Sequence, residues 1–181
     1  MSQDQTSLAP LHSLFSSTCI EVFESLNCHI EQVDEAKKIL AVPCAHIAAF
    51  SDQVEMTLLL RGPVAVLKQT YPIKDNPNTI ESFELDDWIS ELANRFMGSL
   101  KNKLLAYEHT LQMNTPKMQF GVNVNTFLPD SYEPYILNFQ SGREVFECSL
   151  HTRVLNKNIQ FILQAASDEQ QYLDDGELEM F

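Results

Sequence analysis

Leu85-Asp86-Asp87-Trp88-Ile89-Ser90-Glu91-Leu92-Ala93-Asn94-Arg95-Phe96-Met97-Gly98-Ser99-Leu100-Lys101-Asn102-Lys103-Leu104-Leu105 is a proline-free run of good helix formers. Leu85, Trp88, Ile89, Leu92, Phe96, Leu100 and Leu104 recur at spacings of three and four. At about 100° per residue they form one broad apolar face, which predicts an amphipathic helix. Asp86 and Asp87 near its start and Lys101 and Lys103 near its end complement the helix dipole.

The opposite face carries Asp87, Glu91, Asn94, Gly98 and Lys101 in one narrow stripe. Residues three and four apart are neighbours on a helix, so Glu91 and Asn94 project together. A glycine inside an exposed helix costs about 1 kcal/mol relative to alanine. Its use at Gly98 makes physical sense where another molecule comes close. Charged stripes are also what solvated helix faces ordinarily carry.

The pattern Asp87-x3-Glu91-x2-Asn94, with Pro116 twenty-two positions after the asparagine, resembles the signature of the CheC/CheX/FliY phosphatases. Gly98 also fits the helix of that family. The resemblance extends over about residues 8–166, and a single good site is more similar to CheX than to the two-site CheC. It implies a protein phosphatase acting on the aspartyl phosphate of a CheY-like response-regulator receiver domain. Asn94 would orient the hydrolytic water, and Glu91 would pair with a lysine of the receiver. Asp87, Gly98 and Lys101 would belong to the partner contact. Trp88, the only tryptophan, sits on the flank of the stripe, where it suits either a contact anchor or the core. No cofactor of its own is implied, because the receiver supplies Mg²⁺. A homodimer is implied as well, with the hairpin expected at 144–166 as a contributor.

Composition sets the outer bounds. At 181 residues and 44% hydrophobic, the chain can bury a sizeable core as one domain. A net charge of −13 argues against a nucleic-acid-binding surface. The first fourteen residues show no basic segment followed by a long apolar one, and no apolar run is long enough to cross a bilayer. A cytoplasmic protein without a membrane partner is expected. Cys19, Cys28, Cys44 and Cys148 lack zinc or C-x-x-C spacing and read as small buried hydrophobes.

In chain order, residues 1–7 are polar and expected to be disordered. Leu11 to Leu26 repeats a helical pattern, with Pro10 in its first turn. It contains a second Glu-x2-Asn, Glu24 and Asn27, which lacks the rest of the signature and falls at the expected helix end. A short strand is expected around Cys28–Val33. Ala45–Phe50 and Val54–Leu60 read as strands joined at Ser51-Asp52-Gln53. Val64 to Thr70 reads as a short helix and Tyr71 to Thr79 as a loop. Beyond the long helix, strands are expected at Gln119–Phe127 and Tyr135–Phe139, with a loop at Leu128–Tyr135. Phe146 to Val154 alternates strictly and is expected to turn at Asn156-Lys157-Asn158 and return through Ile159 to Ala165. Residues 167–181 hold six acidic side chains and no basic one, and read as a solubilising or interaction tail. The predicted class is α+β, a mostly antiparallel sheet with helices packed on one face.

No metal-ligand cluster, nucleophile elbow or phosphate-binding glycine loop is present in the sequence. The competing reading is a non-catalytic interaction module of the same fold, binding a response regulator or a flagellar-switch-like partner.

Overall fold

The computed structural model describes residues 8–34, 42–72, 79–120 and 131–161. Three helices and seven strands follow in the order α1 (Ala9–Ser25), β1 (Glu31–Val33), β2 (Pro43–Phe50), β3 (Val54–Arg61), α2 (Val64–Thr70), α3 (Ser82–Leu105), β4 (Gln112–Met113), β5 (Lys117–Phe120), β6 (Glu133–Ser141) and β7 (Glu144–Val154). The sheet runs β1-β6-β7-β3-β2-β4, with β5 also on β2, and every pairing is antiparallel.

Alternation sorts the strands cleanly. Ala45, Ile47 and Ala49 of β2, Met56, Leu58 and Leu60 of β3, and Phe146, Cys148 and Leu150 of β7 point to one side. There they meet Leu11, Phe15, Cys19 and Phe23 of α1 and Leu85, Ile89, Leu92, Phe96 and Leu100 of α3 in a continuous core. Phe23 is its centre, packed edge-on against Phe96 and Phe146, each at a centroid distance of 5.3 Å. The apolar face read from the sequence of α3 is therefore the face laid on the sheet. The result is the expected α+β class, with helices on one side of an antiparallel sheet.

Both long helices end in Schellman geometry. Asn27 has φ +53°, and the N–H groups of Asn27 and Cys28 donate to the Glu24 and Phe23 carbonyls. The second Glu-x2-Asn is thus a helix stop. Glu108, at φ +59°, plays the same part after α3. That helix starts three residues earlier than expected, because Glu84 reaches back to accept the Glu81 N–H at 2.7 Å, one arm of a capping box.

The C-terminal hairpin differs from expectation. The partner of β7 is β6, joined through Gly142 and Arg143, and not a returning strand after Asn158. Gly142 has φ +61°, the value a tight type II′ hairpin turn asks of its first residue. The other edge of β7 is taken by β3, so no returning strand has a place beside it. The turn at Asn156–Asn158 does form, with the Asn158 N–H donating to Asn156 Oδ1 at 3.0 Å. It drops Ile159 and Phe161 into the core instead. Within the chain both edges of β7 are therefore occupied, by β6 on one side and β3 on the other. Pro134, expected in a loop, lies within β6. It is tolerated there because β1 borders only Asn138–Gln140, leaving β6 an edge strand at the proline.

The remaining part of the expected strand 119–127, most of the loop 71–79, residues 1–7 and the tail 167–181 lie outside the described residues. Among the described residues no helix is long and apolar enough to cross a membrane.

Candidate functional site

The site is built from the outer stripe of α3 and the bend between β4 and β5. Asp87, Ser90, Glu91 and Asn94 on the helix and Met113, Asn114, Thr115 and Pro116 on the bend line one shallow, open groove of about 560 Å³. The sequence spacing explains the meeting. From Asn94 the helix runs on to Leu105, roughly 16 Å at 1.5 Å per residue. The chain turns at Ala106–Glu108 and comes back along the sheet edge to the level of Asn94.

The bend is held at both ends by the same strand. β4 pairs with Ala49 and Phe50, β5 pairs with Pro43 to His46, and between them the Asn114 N–H donates to the Ala48 carbonyl at 2.9 Å. Strand β2 lies beneath α3, so Asn114–Pro116 forms a second wall facing the helix. Pro116 has no N–H to offer and ends the bend before β5 begins.

On the helix, Asp87, Glu91 and Asn94 are exposed. Ser90 turns its hydroxyl back onto the Asp86 carbonyl at 3.1 Å and so lines the groove without presenting a free hydroxyl. Glu91 Oε1 accepts from Arg95 Nε at 2.9 Å, with both side chains almost half exposed. The Arg95 guanidinium lies over the Trp88 ring, 5.1 Å from its centroid. Gly98 is one turn further along, and a Cβ there would meet nothing within 4 Å. Among the described residues its lack of a side chain serves no packing. Lys101, on the next turn of the stripe, is half-buried and lies beyond the groove lining.

Trp88 is a core residue. It is 5% exposed, its indole N–H donates to Thr70 Oγ1 at 3.0 Å, and its ring meets Tyr71 edge-on at 5.7 Å. An anchor for another molecule needs accessible surface, and Trp88 offers little beyond the ring face that Arg95 covers. Arg95, Ser90, Asn114 and Thr115 went unassigned in the sequence. Arg95 carried a signal, standing four residues after Glu91. Asn114 and Thr115 are identifiable only because Pro116 follows them.

The groove can present a carboxylate, a carboxamide and a polar loop to a protein surface. It holds no cysteine, histidine or lysine that would form a covalent intermediate. Among the described residues no group of three or more His, Cys, Asp or Glu side chains could hold a metal ion.

No protein-family model and no curated protein sequence matches the chain. Solved structures do. A CheC-like superfamily protein from Shewanella sp. PV-4 superposes with a TM-score of 0.67 at 16% identity, over 80% of this chain and 97% of that one. The chemotaxis protein CheX from Vibrio vulnificus gives 0.65 at 14% identity, over 77% and 97% of the two chains. CheX from Borrelia burgdorferi, in a complex with CheY, BeF₃ and Mg²⁺, gives 0.59 at 15% identity, over 78% and 96%. The antiparallel sheet with its helices on one face is thus an α+β fold shared with these solved structures. More narrowly, the fold is CheC/CheX-like.

Proposed function

We propose that this chain is a CheX-like protein phosphatase that hydrolyses the aspartyl phosphate of a CheY-like response regulator. The observation that carries the proposal is the convergence of Asp87, Glu91, Asn94 and Pro116, spread over thirty positions of sequence, on one open groove. The Borrelia protein of the same fold, in complex with CheY, supports the partner class.

A groove this open suits a folded surface better than a small molecule, which is normally enclosed over most of its area. The receiver brings the phosphorylated aspartate and the Mg²⁺ that neutralises phosphoryl charge. What this chain adds is position. The Asn94 carboxamide has both acceptor and donors, carries no charge, and does not repel the phosphoryl oxygens. It holds a water in line with the phosphorus. The water oxygen bonds to phosphorus, the acyl-phosphate P–O bond breaks, and inorganic phosphate leaves with the receiver aspartate restored as a carboxylate. Holding a reactant in line in this way supplies much of the rate in phosphoryl transfer.

Glu91 makes a charge-assisted hydrogen bond to a receiver lysine and so fixes the docking register. Gly98 lets the receiver surface approach the helix backbone. Homodimerisation belongs to the same reading and is tested by light scattering across a concentration series. The catalytic proposal is tested by the decay of acyl phosphate on receiver domains of the same cell. Wild-type protein is expected to accelerate decay, and Asn94→Ala to bind without accelerating it.

A further inference from the structure

We infer that Arg95 is a positioning residue that presents Glu91 to the docking partner. This rests on the receiver-docking reading above. A chain of contacts runs from α2 to the groove. Thr70 Oγ1 donates to the Val66 and Leu67 carbonyls at 3.1 Å and accepts the Trp88 indole N–H at 3.0 Å. That fixes the indole plane. One face of the indole is covered by the Arg95 guanidinium at 5.1 Å, and Arg95 Nε holds Glu91 Oε1 at 2.9 Å.

The arrangement contributes little to stability, since ion pairs between exposed side chains four residues apart on a helix are weak. Its consequence is geometric. A free glutamate samples many rotamers, and ordering it on docking costs binding energy. Arg95 occupies one carboxylate oxygen and leaves Oε2 without a partner among the described residues, ready for a cation from the partner. A carboxylate has lone pairs enough to serve both. Lysine cannot replace arginine here, because it has neither the planar group that lies on an indole nor an Nε–H.

Trp88 is the only tryptophan, so its emission reports the seat directly. Arg95→Ala should shift that emission to the red and increase quenching by acrylamide. Glu91→Ala should do so more weakly, and should add nothing in the Arg95→Ala background. With phosphorylated receiver, Arg95→Ala should raise KM roughly fivefold, by more than kcat falls. Arg95→Lys should behave like Arg95→Ala in both measurements.

Quenching that is the same in wild type and Arg95→Ala overturns the inference, as does full rescue of KM and quenching by lysine. Absence of acceleration by the wild-type protein overturns the phosphatase reading instead. In that case, receiver affinity read from the same emission decides on Arg95. Weaker binding by Arg95→Ala upholds the inference, and equal binding overturns it.

Discussion

Asn94, midway along α3, and Pro116, in the bend between β4 and β5, line the same groove. Neither packs there by local sequence. The length of the helix beyond Asn94 and the double hold of β2 on the returning chain put them opposite each other. A signature that looks scattered along the chain is compact in space.

Gly98 separates stability from function. A Cβ at this position is in open space, so Gly98→Ala should stabilise the protein by about 1 kcal/mol. A long side chain, as in Gly98→Gln, should also be tolerated by the fold yet raise the receiver KM roughly tenfold or more, about 1.4 kcal/mol of docking energy. Urea melts and phosphatase titrations on the same samples check both. Destabilisation by alanine, or normal docking by glutamine, would contradict this role.

Gly62 should behave in the opposite way. Its N–H donates to the Pro43 carbonyl at 3.1 Å at the end of the β2–β3 pairing, and a Cβ there would run into the buried Phe146 ring. Phe146 cannot yield freely, being packed edge-on against Phe23. Gly62→Ala should therefore cost about 1–3 kcal/mol, as overpacking of cores does. The shift in urea midpoint measures it.

These two glycines also show how far the sequence could be read. The face, period and charge order of α3 identified the helix and its outer stripe, since both are local properties. Helix α2 was legible to the residue, bracketed by Gly62-Pro63 and Tyr71-Pro72. The partner of β7 was not, because alternation reveals the buried face of a strand but not its neighbour. Ser141-Gly142 reads as a break in the sequence, although Ser141 still pairs with Glu144 and Gly142-Arg143 is a two-residue hairpin loop. Trp88 stood at the border of the apolar face, and its place was settled by Thr70, eighteen positions upstream and on another helix. Asn114 and Thr115 are invisible to any periodic pattern.

Three histidines tie stability to pH. Burial lowers the pKa of His12, with Glu133 opposing it in part. Burial also lowers His46, assisted by Lys117, and His151. Below about 6.5, the ordinary histidine value, the unfolded chain therefore takes up more protons than the folded one. The stability is fully present above that pH and is lost as pH falls through the window beneath it. Urea midpoints at pH 7.5 and 5.5, in 0.5 M salt to screen the net charge, should fall with pH. His12→Gln and His151→Gln should each flatten the slope, and an unchanged slope in both would contradict the assignment.

The four cysteines are buried. Burial pushes the Cys44 thiol up to about 11, with Glu147 adding to the shift and Arg61 opposing it. At pH 8 only about one Cys44 in a thousand is a thiolate. Cys148 is likewise raised by burial and by its contact with Cys19. Native protein should thus react with a thiol reagent at well under one equivalent in the fast phase, and with four equivalents in denaturant. A fast native equivalent would contradict the burial.

The most direct measurement is the decay of acyl phosphate on a phosphorylated receiver with wild-type protein and with Asn94→Ala, alongside receiver affinity for both. The expected result is acceleration by wild type, a loss of roughly a hundredfold or more in the variant, and affinity kept within a few-fold. Wild-type protein that binds the receiver without shortening the life of its phosphate would contradict the phosphatase assignment and leave the groove as a docking surface alone.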